Sequence, residues 1–136
     1  MIRYEWVWRP APKTLAGIAG LYKAAGWWER TDTPQRLVRM VMGSHCFLVA
    51  RSGGRLVGMG RAISDRANDG YIQDVFVRPA LRGRGVGAEL VRRLALRLRI
   101  DGLGWIGLIA VGGAREFYGR LGFKTMPKHD PMRFSI

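Results

Sequence analysis

The feature that most restricts the fold is a strand, a glycine-rich turn and a helix that follow one another in the second half of the chain. Residues 71–77 are β-branched and aromatic, which predicts a strand, and Arg78-Pro79 ends it. Residues 86–100 place apolar side chains on one side and arginines mostly on the other, which predicts an amphipathic helix. The turn between them reads Arg82-Gly83-Arg84-Gly85-Val86-Gly87.

This turn has the properties of an anion site. Glycine lets the backbone turn and approach a ligand without the steric penalty of a Cβ atom. The first amide groups of a helix have no partner within it, and they point outward at the positive end of the helix dipole. The sequence therefore predicts that a phosphate or diphosphate is held mainly by main-chain amides, with Arg82 and Arg84 adding positive charge.

Two other interpretations of the turn were weighed. A tight turn that only begins a basic helix does not require alternating glycines, which cost chain entropy. A dinucleotide-binding fold is favoured by the spacing Gly83-x-Gly85-x-x-Ala88. We reject it, because residues 78–82 separate the glycines from the strand and no acidic residue follows near residues 110–112.

The remaining elements predict one sheet covered by helices. Further strands are predicted at residues 2–8, 46–51, 56–63 and 105–111, with one beginning at residue 122 and a last one at residues 132–136. Helices are predicted at residues 15–25, 34–43 and 113–121. With 136 residues and no segment that reads as a linker, we expect a single α/β domain of the α+β kind over residues 1–136.

Composition excludes several classes of protein. A hydrophobic share of 48% excludes intrinsic disorder, and the single cysteine, Cys46, excludes a disulfide framework. The acidic Glu5 stands where a signal peptide would have an unbroken apolar segment, and no apolar run is long enough to span a bilayer. We therefore expect a cytoplasmic protein without membrane contact. The formal net charge of +13 attracts anions in general, or reflects only a solvated arginine-rich face.

The strand, Pro79 and the glycine turn together resemble motif A of the GCN5-related N-acetyltransferases, the GNAT family. A second motif of that family is matched downstream in residues 114–123, which read Ala114-Arg115-Glu116-Phe117-Tyr118-Gly119-Arg120-Leu121-Gly122-Phe123. Upstream, residues 21–27 and 57–62 resemble a small bacterial branch that is also similar to plastid serotonin N-acetyltransferases.

The resemblance implies a mixed, mostly antiparallel central sheet flanked by about four helices. It also implies acetyl-CoA as co-substrate, with no metal. In this family the pantetheine arm pairs with the motif A strand, here Val75, Phe76 and Val77. The diphosphate is bound by the turn, here Arg82, Gly83, Arg84, Gly85, Val86 and Gly87. Two positions depart from relatives, since Leu81 stands for a tyrosine and Val111 for a frequent asparagine.

The resemblance further implies that the amine attacks the thioester directly, without an acyl-enzyme. It assigns Tyr118 as the general acid for the departing thiolate, with a core tyrosine as the alternative. Asp74 interrupts an otherwise apolar strand and is the candidate base, although pairing with a neighbouring arginine explains it equally well. Cys46 has apolar neighbours and is expected to be a core thiol rather than a nucleophile.

The acceptor site is expected between the first two helices. Tyr22, Trp27 and Trp28 lie where family members form this pocket, and we group Tyr71 with them as a substrate residue. Aromatic walls suit an arylalkylamine, so a small primary amine is favoured over a protein amino group. The alternative, in which the tryptophans only seal the core, stays open. The two histidines, His45 and His129, have no partners at ligand spacing and are predicted to lie at the surface.

Two other functions are carried as alternatives. A nucleic-acid-binding module would use the basic helix at residues 86–100, but no known binding signature accompanies it, so we do not expect nucleic acid as a partner. A degenerate acetyltransferase would bind CoA only as a sensor. Residues 132–136 are expected to pair between subunits, which would give a homodimer.

Overall fold

The computed structural model describes residues 1–135 and contains one five-stranded sheet whose strands lie in chain order. The strands are β1 (Ile2–Trp6), β2 (Cys46–Ser52), β3 (Arg55–Ser64), β4 (Asp69–Val77) and β5 (Trp105–Gly107). The helices are α1 (Pro12–Ala24), α2 (Pro34–Gly43), α3 (Val86–Ile100) and α4 (Arg115–Gly119), with a short 3-10 turn at Pro79–Leu81. The first three strand pairs are antiparallel and β4 pairs with β5 in parallel, which confirms the predicted mixed, mostly antiparallel fold.

Helices cover both faces of the sheet. Along β2, Phe47 and Val49 pack toward α1 and α2, whereas Cys46, Leu48 and Ala50 pack toward α3. Because successive side chains of a strand point to opposite faces, a strand buried on both faces reads as an unbroken apolar run. That explains the sequence of β2, and it confirms Cys46 as a core thiol.

The ends of the helices follow their sequence signals. The hydroxyl of Thr33 accepts a hydrogen bond from the Arg36 amide at 3.2 Å, and Pro34 occupies the first turn of α2. Beyond α1, Gly26 adopts a φ of +79°, in the left-handed region that commonly ends a helix. These two ends place Trp27 and Trp28 in the connection between α1 and α2.

Three predicted strands are wrong in part or in full. β5 ends at Gly107 rather than at residue 111, because it pairs with β4 only from Asp69 to Tyr71 and the chain then leaves the sheet. Residues 122–125 form no strand, and residues 132–135 form none either. Ile136, the last residue of the predicted final strand, lies outside the described residues. Strand formation needs an adjacent partner, which an apolar run does not supply by itself.

The prediction that His45 lies at the surface is also wrong. Its side chain is buried, with Nδ1 2.6 Å from Ser64 Oγ and Nε2 2.8 Å from Asp101 Oδ2. Arg97 donates to the same carboxylate oxygen at 3.1 Å. The partners come from distant parts of the chain, so no local spacing announces them. His129 is exposed, as predicted.

Within residues 1–135, none of the helices is long and apolar enough to cross a membrane.

Candidate active site

A β-bulge in β4 shapes the centre of the site. Met59 pairs with Phe76 and Arg61 pairs with Gln73, so that two residues of β4 stand opposite one residue of β3. Asp74, one of the two, has a φ of +55°, which is unusual for a residue with a side chain. The bulge lies in the part of β4 that no longer pairs with β5. It bends the strand there and changes the direction in which the Asp74 side chain points, relative to the regular alternation along the strand.

The divergence of β4 and β5 opens a cleft of about 690 Å³, which we call the splay cleft. Residues 71–76 of β4 form one wall, and Ile109, Val111 and Tyr118 lie on the other side. Past Tyr71, no strand of the described chain pairs with this edge of β4. An extended ligand can therefore pair with the backbone there as an added strand.

The glycine turn adopts the conformation expected of an anion site. Gly83 and Gly85 have φ values of +77° and +80°, and no atom lies within 4 Å of the position that a Cβ would take at either residue. Gly85 caps α3, whose first internal hydrogen bond runs from the Glu89 amide to the Gly85 carbonyl at 3.0 Å. The amides of residues 83–88 have no backbone acceptor outside α3 in the described chain, and they precede the first internal bond of that helix.

One detail of the predicted diphosphate site needs correction. The Arg82 amide already donates to the Pro79 carbonyl at 3.2 Å, and the Arg82 side chain donates to the Val77 carbonyl at 2.9 Å. The row of available amides therefore begins at Gly83 rather than at Arg82.

Tyr118 lies on α4 and lines the splay cleft. Its ring packs edge-on against Phe117 at 4.9 Å and Phe123 at 5.9 Å between centroids. Its hydroxyl makes no hydrogen bond to any residue of the described chain. Burial raises the pKa of Tyr118 above its ordinary value of 10.0, so the phenol keeps its proton at neutral pH. Phe117 also lies against Gly87, which places α4 beside the start of α3.

Asp74 accepts two hydrogen bonds on the same oxygen. The Tyr22 hydroxyl and Arg61 Nε each donate to Oδ2 at 2.7 Å. The pairing with an arginine that the sequence allowed is present, and the carboxylate also lines the splay cleft, while the role of Asp74 as a base stays a prediction. Burial, followed by the nearby Asp74 charge, raises the pKa of Tyr22, so that the phenol is a hydrogen-bond donor here.

A second cleft of about 710 Å³ lies between the end of α1 and α2, and we call it the helix cleft. Tyr22, Trp27 and Trp28 line it, as the sequence analysis placed them, whereas Tyr71 lines the splay cleft instead. The residues that line both clefts include Trp27 and Asp74. The two clefts therefore meet beside the Asp74 carboxylate.

Four further charged residues line the helix cleft: Glu29, Asp32, Arg36 and Arg39. The Asp32 carboxylate accepts a hydrogen bond from the Glu29 amide at 2.6 Å and so fixes the loop between the helices. Because the chain has 23 lysines and arginines, charged residues are too common for these four to be recognised as site residues from the sequence.

Comparison with known proteins identifies the family and the fold. The family model described as "Acetyltransferase (GNAT) domain" matches residues 43–125, which run from the end of α2 to just past α4. The chain belongs to the GNAT family of acetyltransferases. The family resemblance drawn from the glycine turn and the downstream motif is thus confirmed.

Two plant relatives show how far the similarity extends. "Histone acetyltransferase TAP1" of Glycine max is 33% identical over 123 residues, covering 90% of this chain and 48% of the relative. "Serotonin N-acetyltransferase 2, chloroplastic" of Oryza sativa is 37% identical over 76 residues, covering 56% of this chain and 38% of the relative. This GNAT chain spans about half the length, or less, of these curated relatives.

A solved structure shares the whole fold. The crystal structure of a predicted acetyltransferase with acetyl-CoA, from Clostridium acetobutylicum, superposes with a TM-score of 0.76 over 98% of this chain and 96% of that one. The sequence identity is 16%, so the comparison establishes the fold alone.

The GNAT site contains one residue that sequence reasoning missed as a functional candidate, namely Arg61. A signal was present, because Arg61 is a lone charge within the apolar run of β3, as Asp74 is within β4. Two opposite charges that each interrupt neighbouring buried strands indicate a pair. In the described chain, histidine, cysteine and acidic side chains form no group of three or more that suits a metal ion.

Proposed function

We propose that this GNAT chain transfers an acetyl group from acetyl-CoA directly to a primary amine. The observation that carries the proposal is the meeting of two clefts at Asp74, one bordered by Arg82 at the start of the glycine turn and the other by the aromatic wall between α1 and α2. Such an arrangement suits a reaction between two bound substrates, each with its own entrance.

The residues present fit acetyl-CoA. The open space above Gly83 and Gly85 is where a Cβ would otherwise stand, so the backbone amides can approach a diphosphate. No strand pairs with the edge of β4 at Val75 and Val77, and this edge suits the amide groups of a pantetheine arm, which would share the Val77 carbonyl with the Arg82 side chain. A chain laid along this edge from the turn leads toward Tyr118.

Acetyl transfer forms one C–N bond and breaks one C–S bond. The protonated amine loses a proton before its nitrogen attacks the thioester carbon, and Asp74 relays that proton to water. The attack leaves a second proton to be lost from the nitrogen. As the tetrahedral intermediate collapses, the C–S bond breaks, Tyr118 protonates the departing thiolate, and the second proton of the nitrogen returns through water to the Tyr118 phenolate. The unbonded phenol of Tyr118 and its raised pKa support this assignment, since the group arrives at the reaction protonated.

We propose an arylalkylamine as the acceptor. Trp27 stacks edge-on against Phe76 and lies tilted against Tyr22, which gives the helix cleft an aromatic wall next to Asp74. An aromatic ring packs well on such a wall, and an ammonium group then reaches the carboxylate. The printed name of the Oryza sativa relative points the same way, whereas that of the Glycine max relative points to a protein amino group.

An amine panel tests the proposal. Acetyl-CoA is incubated with 2-phenylethylamine, an aliphatic diamine or a lysine peptide, while thiol release and product mass are measured. We expect the highest kcat/KM with 2-phenylethylamine. We also expect Trp27→Ala to raise KM for that amine about tenfold, since the loss of a packed aromatic contact is worth about 1 kcal/mol or more.

The control is Trp8→Ala, because Trp8 is half-exposed on the far edge of the sheet, stacked on Trp6. This variant should behave as wild type. Acetyl-CoA binding without transfer to any amine would contradict the enzymatic function and favour a CoA sensor. A failure to bind acetyl-CoA would contradict the proposal as a whole.

A further inference from the structure

Arg61 is a buried cation that the reaction outlined above does not use. It lies on β3, with its side chain only 13% exposed, directly behind the point where the two clefts meet. A buried guanidinium is costly unless each of its donors has a partner. Its partners therefore show what the residue holds in place.

The three nitrogens of Arg61 reach three different side chains. Nε donates to Asp74 Oδ2 at 2.7 Å, one terminal nitrogen donates to Gln73 Oε1 at 3.0 Å, and the other donates to Ser44 Oγ at 3.4 Å. Ser44 follows α2 and donates its own hydroxyl proton to the Met40 carbonyl at 2.7 Å. The planar guanidinium thus joins the bulge of β4 to the end of α2, which a flexible ammonium group cannot do with the same geometry.

These contacts leave one carboxylate oxygen free. Arg61 and Tyr22 both bind Oδ2, and Oδ1 accepts no hydrogen bond from residues 1–135. No buried side-chain oxygen or nitrogen of the described chain lacks a hydrogen-bond partner. Oδ1 is therefore in contact with solvent, and the solvent that Asp74 borders is that of the two clefts.

We infer that Arg61 is a positioning residue for acetyl transfer, which fixes the Asp74 carboxylate so that Oδ1 is presented to the acceptor amine. The inference rests on the proposed function. Asp74 then orients the N–H group of the amine and passes its proton on to water. The same contacts hold the backbone of Asp74 in its left-handed conformation. The Asp74 side chain therefore keeps a single orientation at the bulge.

The chain offers a matched control in Arg51. This arginine also donates Nε to a carboxylate on a neighbouring strand, Glu5, at 3.0 Å, and a terminal nitrogen reaches Thr14 at 3.2 Å. Its side chain is 20% exposed, and it lines neither cleft. Loss of Arg51 therefore removes a similar ion pair without touching the proposed site.

The test combines a spectroscopic readout that needs no substrate with steady-state kinetics. The carboxyl-carbon resonance of Asp74 is compared at pH 7 in wild type, Arg61→Gln and Arg51→Gln. Kinetic constants for 2-phenylethylamine and acetyl-CoA are measured for the same proteins and for Arg61→Lys. We expect Arg61→Gln, but not Arg51→Gln, to displace the Asp74 resonance, because of the two arginines only Arg61 donates to that carboxylate.

We expect Arg61→Gln to lower kcat/KM for the amine about a hundredfold, because small displacements of a catalytic group cost rates of that order. KM for acetyl-CoA should stay within about twofold of wild type, since the amides of the turn are untouched. Arg61→Lys keeps the charge and loses the planar fork, so it should restore only part of the rate.

Equal losses in Arg61→Gln and Arg51→Gln, with an unchanged Asp74 resonance, would overturn the inference and leave Arg61 a structural residue. A displaced resonance with unchanged amine kinetics would overturn it as well, because Asp74 would then not act on the amine. A wild-type chain that acetylates no amine would contradict the proposed function instead, and the resonance would still show whether Arg61 holds Asp74.

Discussion

Tyr118 shows how the surroundings of one residue suit it to a chemical task. The side chain is half-buried, two aromatic rings hold it edge-on, and its hydroxyl is left without a partner in residues 1–135. A core tyrosine normally finds a hydrogen-bond partner for its hydroxyl when it is buried. The free hydroxyl of a residue that lines a cleft therefore favours a role toward a ligand over a role in packing.

The first prediction concerns Tyr118→Phe. We expect kcat to fall about a hundredfold, within the range that general-acid groups contribute, while the affinity for acetyl-CoA stays unchanged. Because burial raises the pKa of Tyr118 above 10.0, the wild-type rate should not decline through loss of this proton until the pH exceeds 10. Stopped-flow thiol release from pH 6 to 10.5 measures kcat and its dependence on pH.

Tyr4→Phe serves as the control for this prediction. Tyr4 lies on β1, with the Arg93 guanidinium 4.6 Å above its ring, far from both clefts. Its variant should keep wild-type kinetics. A Tyr118→Phe protein with an unchanged kcat would remove Tyr118 from the catalytic assignment.

At the scale of the element, the turn between β4 and α3 depends on glycine for two separate reasons. A left-handed φ strains any residue that carries a Cβ, and a Cβ at Gly85 would also enter the space where a diphosphate approaches the amides. A turn that only reverses the chain has the first requirement alone. The two requirements can be separated with a second glycine of the same protein.

The second prediction compares Gly85→Ala with Gly53→Ala. Gly53 lies in the hairpin turn between β2 and β3, has a φ of +61° and also has open space at its Cβ position. Both variants should lose about 1 kcal/mol of unfolding free energy from backbone strain. Only Gly85→Ala should weaken acetyl-CoA binding, by about tenfold, because one crowded amide contact is worth about 1.4 kcal/mol.

Calorimetric titration with acetyl-CoA and chemical denaturation measure the two quantities. Equal acetyl-CoA affinities for the two variants would show that the turn does not hold the diphosphate.

At the scale of the whole molecule, His45 connects three elements that are far apart in sequence. It directly precedes β2, and its ring forms hydrogen bonds with Ser64 at the end of β3 and with Asp101 just after α3. The hydrogen bond from His45, and next the contact with Arg97, lower the pKa of the Asp101 carboxyl. These hydrogen bonds hold the end of α3 against the start of β2 and the end of β3.

The third prediction is that His45→Ala costs about 1–3 kcal/mol of unfolding free energy, since it removes both hydrogen bonds of a buried side chain. The control, His129→Ala, changes an exposed residue and should cost little. The pKa of Asp101 is lowered in the folded chain, so its stabilising contribution is present above 3.8 and is lost as the pH falls through the lower folded pKa. Urea unfolding at pH 7 and at pH 3 should show a smaller difference at the lower pH. An unchanged midpoint for His45→Ala at pH 7 would contradict the prediction.

The charge distribution of the folded chain also bears on its partners. On α3, Arg92 and Arg93 pair with Glu89, and Arg97 pairs with Asp101. The Arg97 guanidinium also lies over the rings of Trp6 and Trp8. Much of the basic helix is therefore engaged within the protein, which weakens the nucleic-acid alternative. That nucleic acid is not a partner stays a prediction, as do the homodimer and the cytoplasmic setting.

Local signals predicted those parts of the fold whose physics is local. Thr33-Pro34 fixed the start of α2, Gly26 the end of α1, and the glycine pair at residues 53–54 the first hairpin. The boundaries of α3 were predicted to the residue. Caps, turns and helical periodicity depend on neighbours within a few residues, so a single sequence suffices to find them.

Contacts between distant segments were the source of the errors. The apolar run at residues 105–111 was read as a full strand, but pairing ends at Gly107 because β4 and β5 diverge. His45 was read as exposed because its partners, Ser64 and Asp101, are 19 and 56 positions away. The arginine that pairs with Asp74 could not be predicted for the same reason, because the sequences of β3 and β4 do not specify the register in which the two strands pair.

The sequence by itself determined that this chain has a strand, an amide-rich turn and a basic amphipathic helix in series, because glycine conformation and helix capping are properties of short segments. It also carried enough of two motifs to place the chain in the GNAT family. Only the tertiary structure decided that the two clefts meet at Asp74, and that Arg61 and Tyr22 hold one oxygen of its carboxylate. A bulge, a divergence of two strands and a buried ion pair all depend on register between distant segments, and register is fixed only when the sheet and the helices pack together.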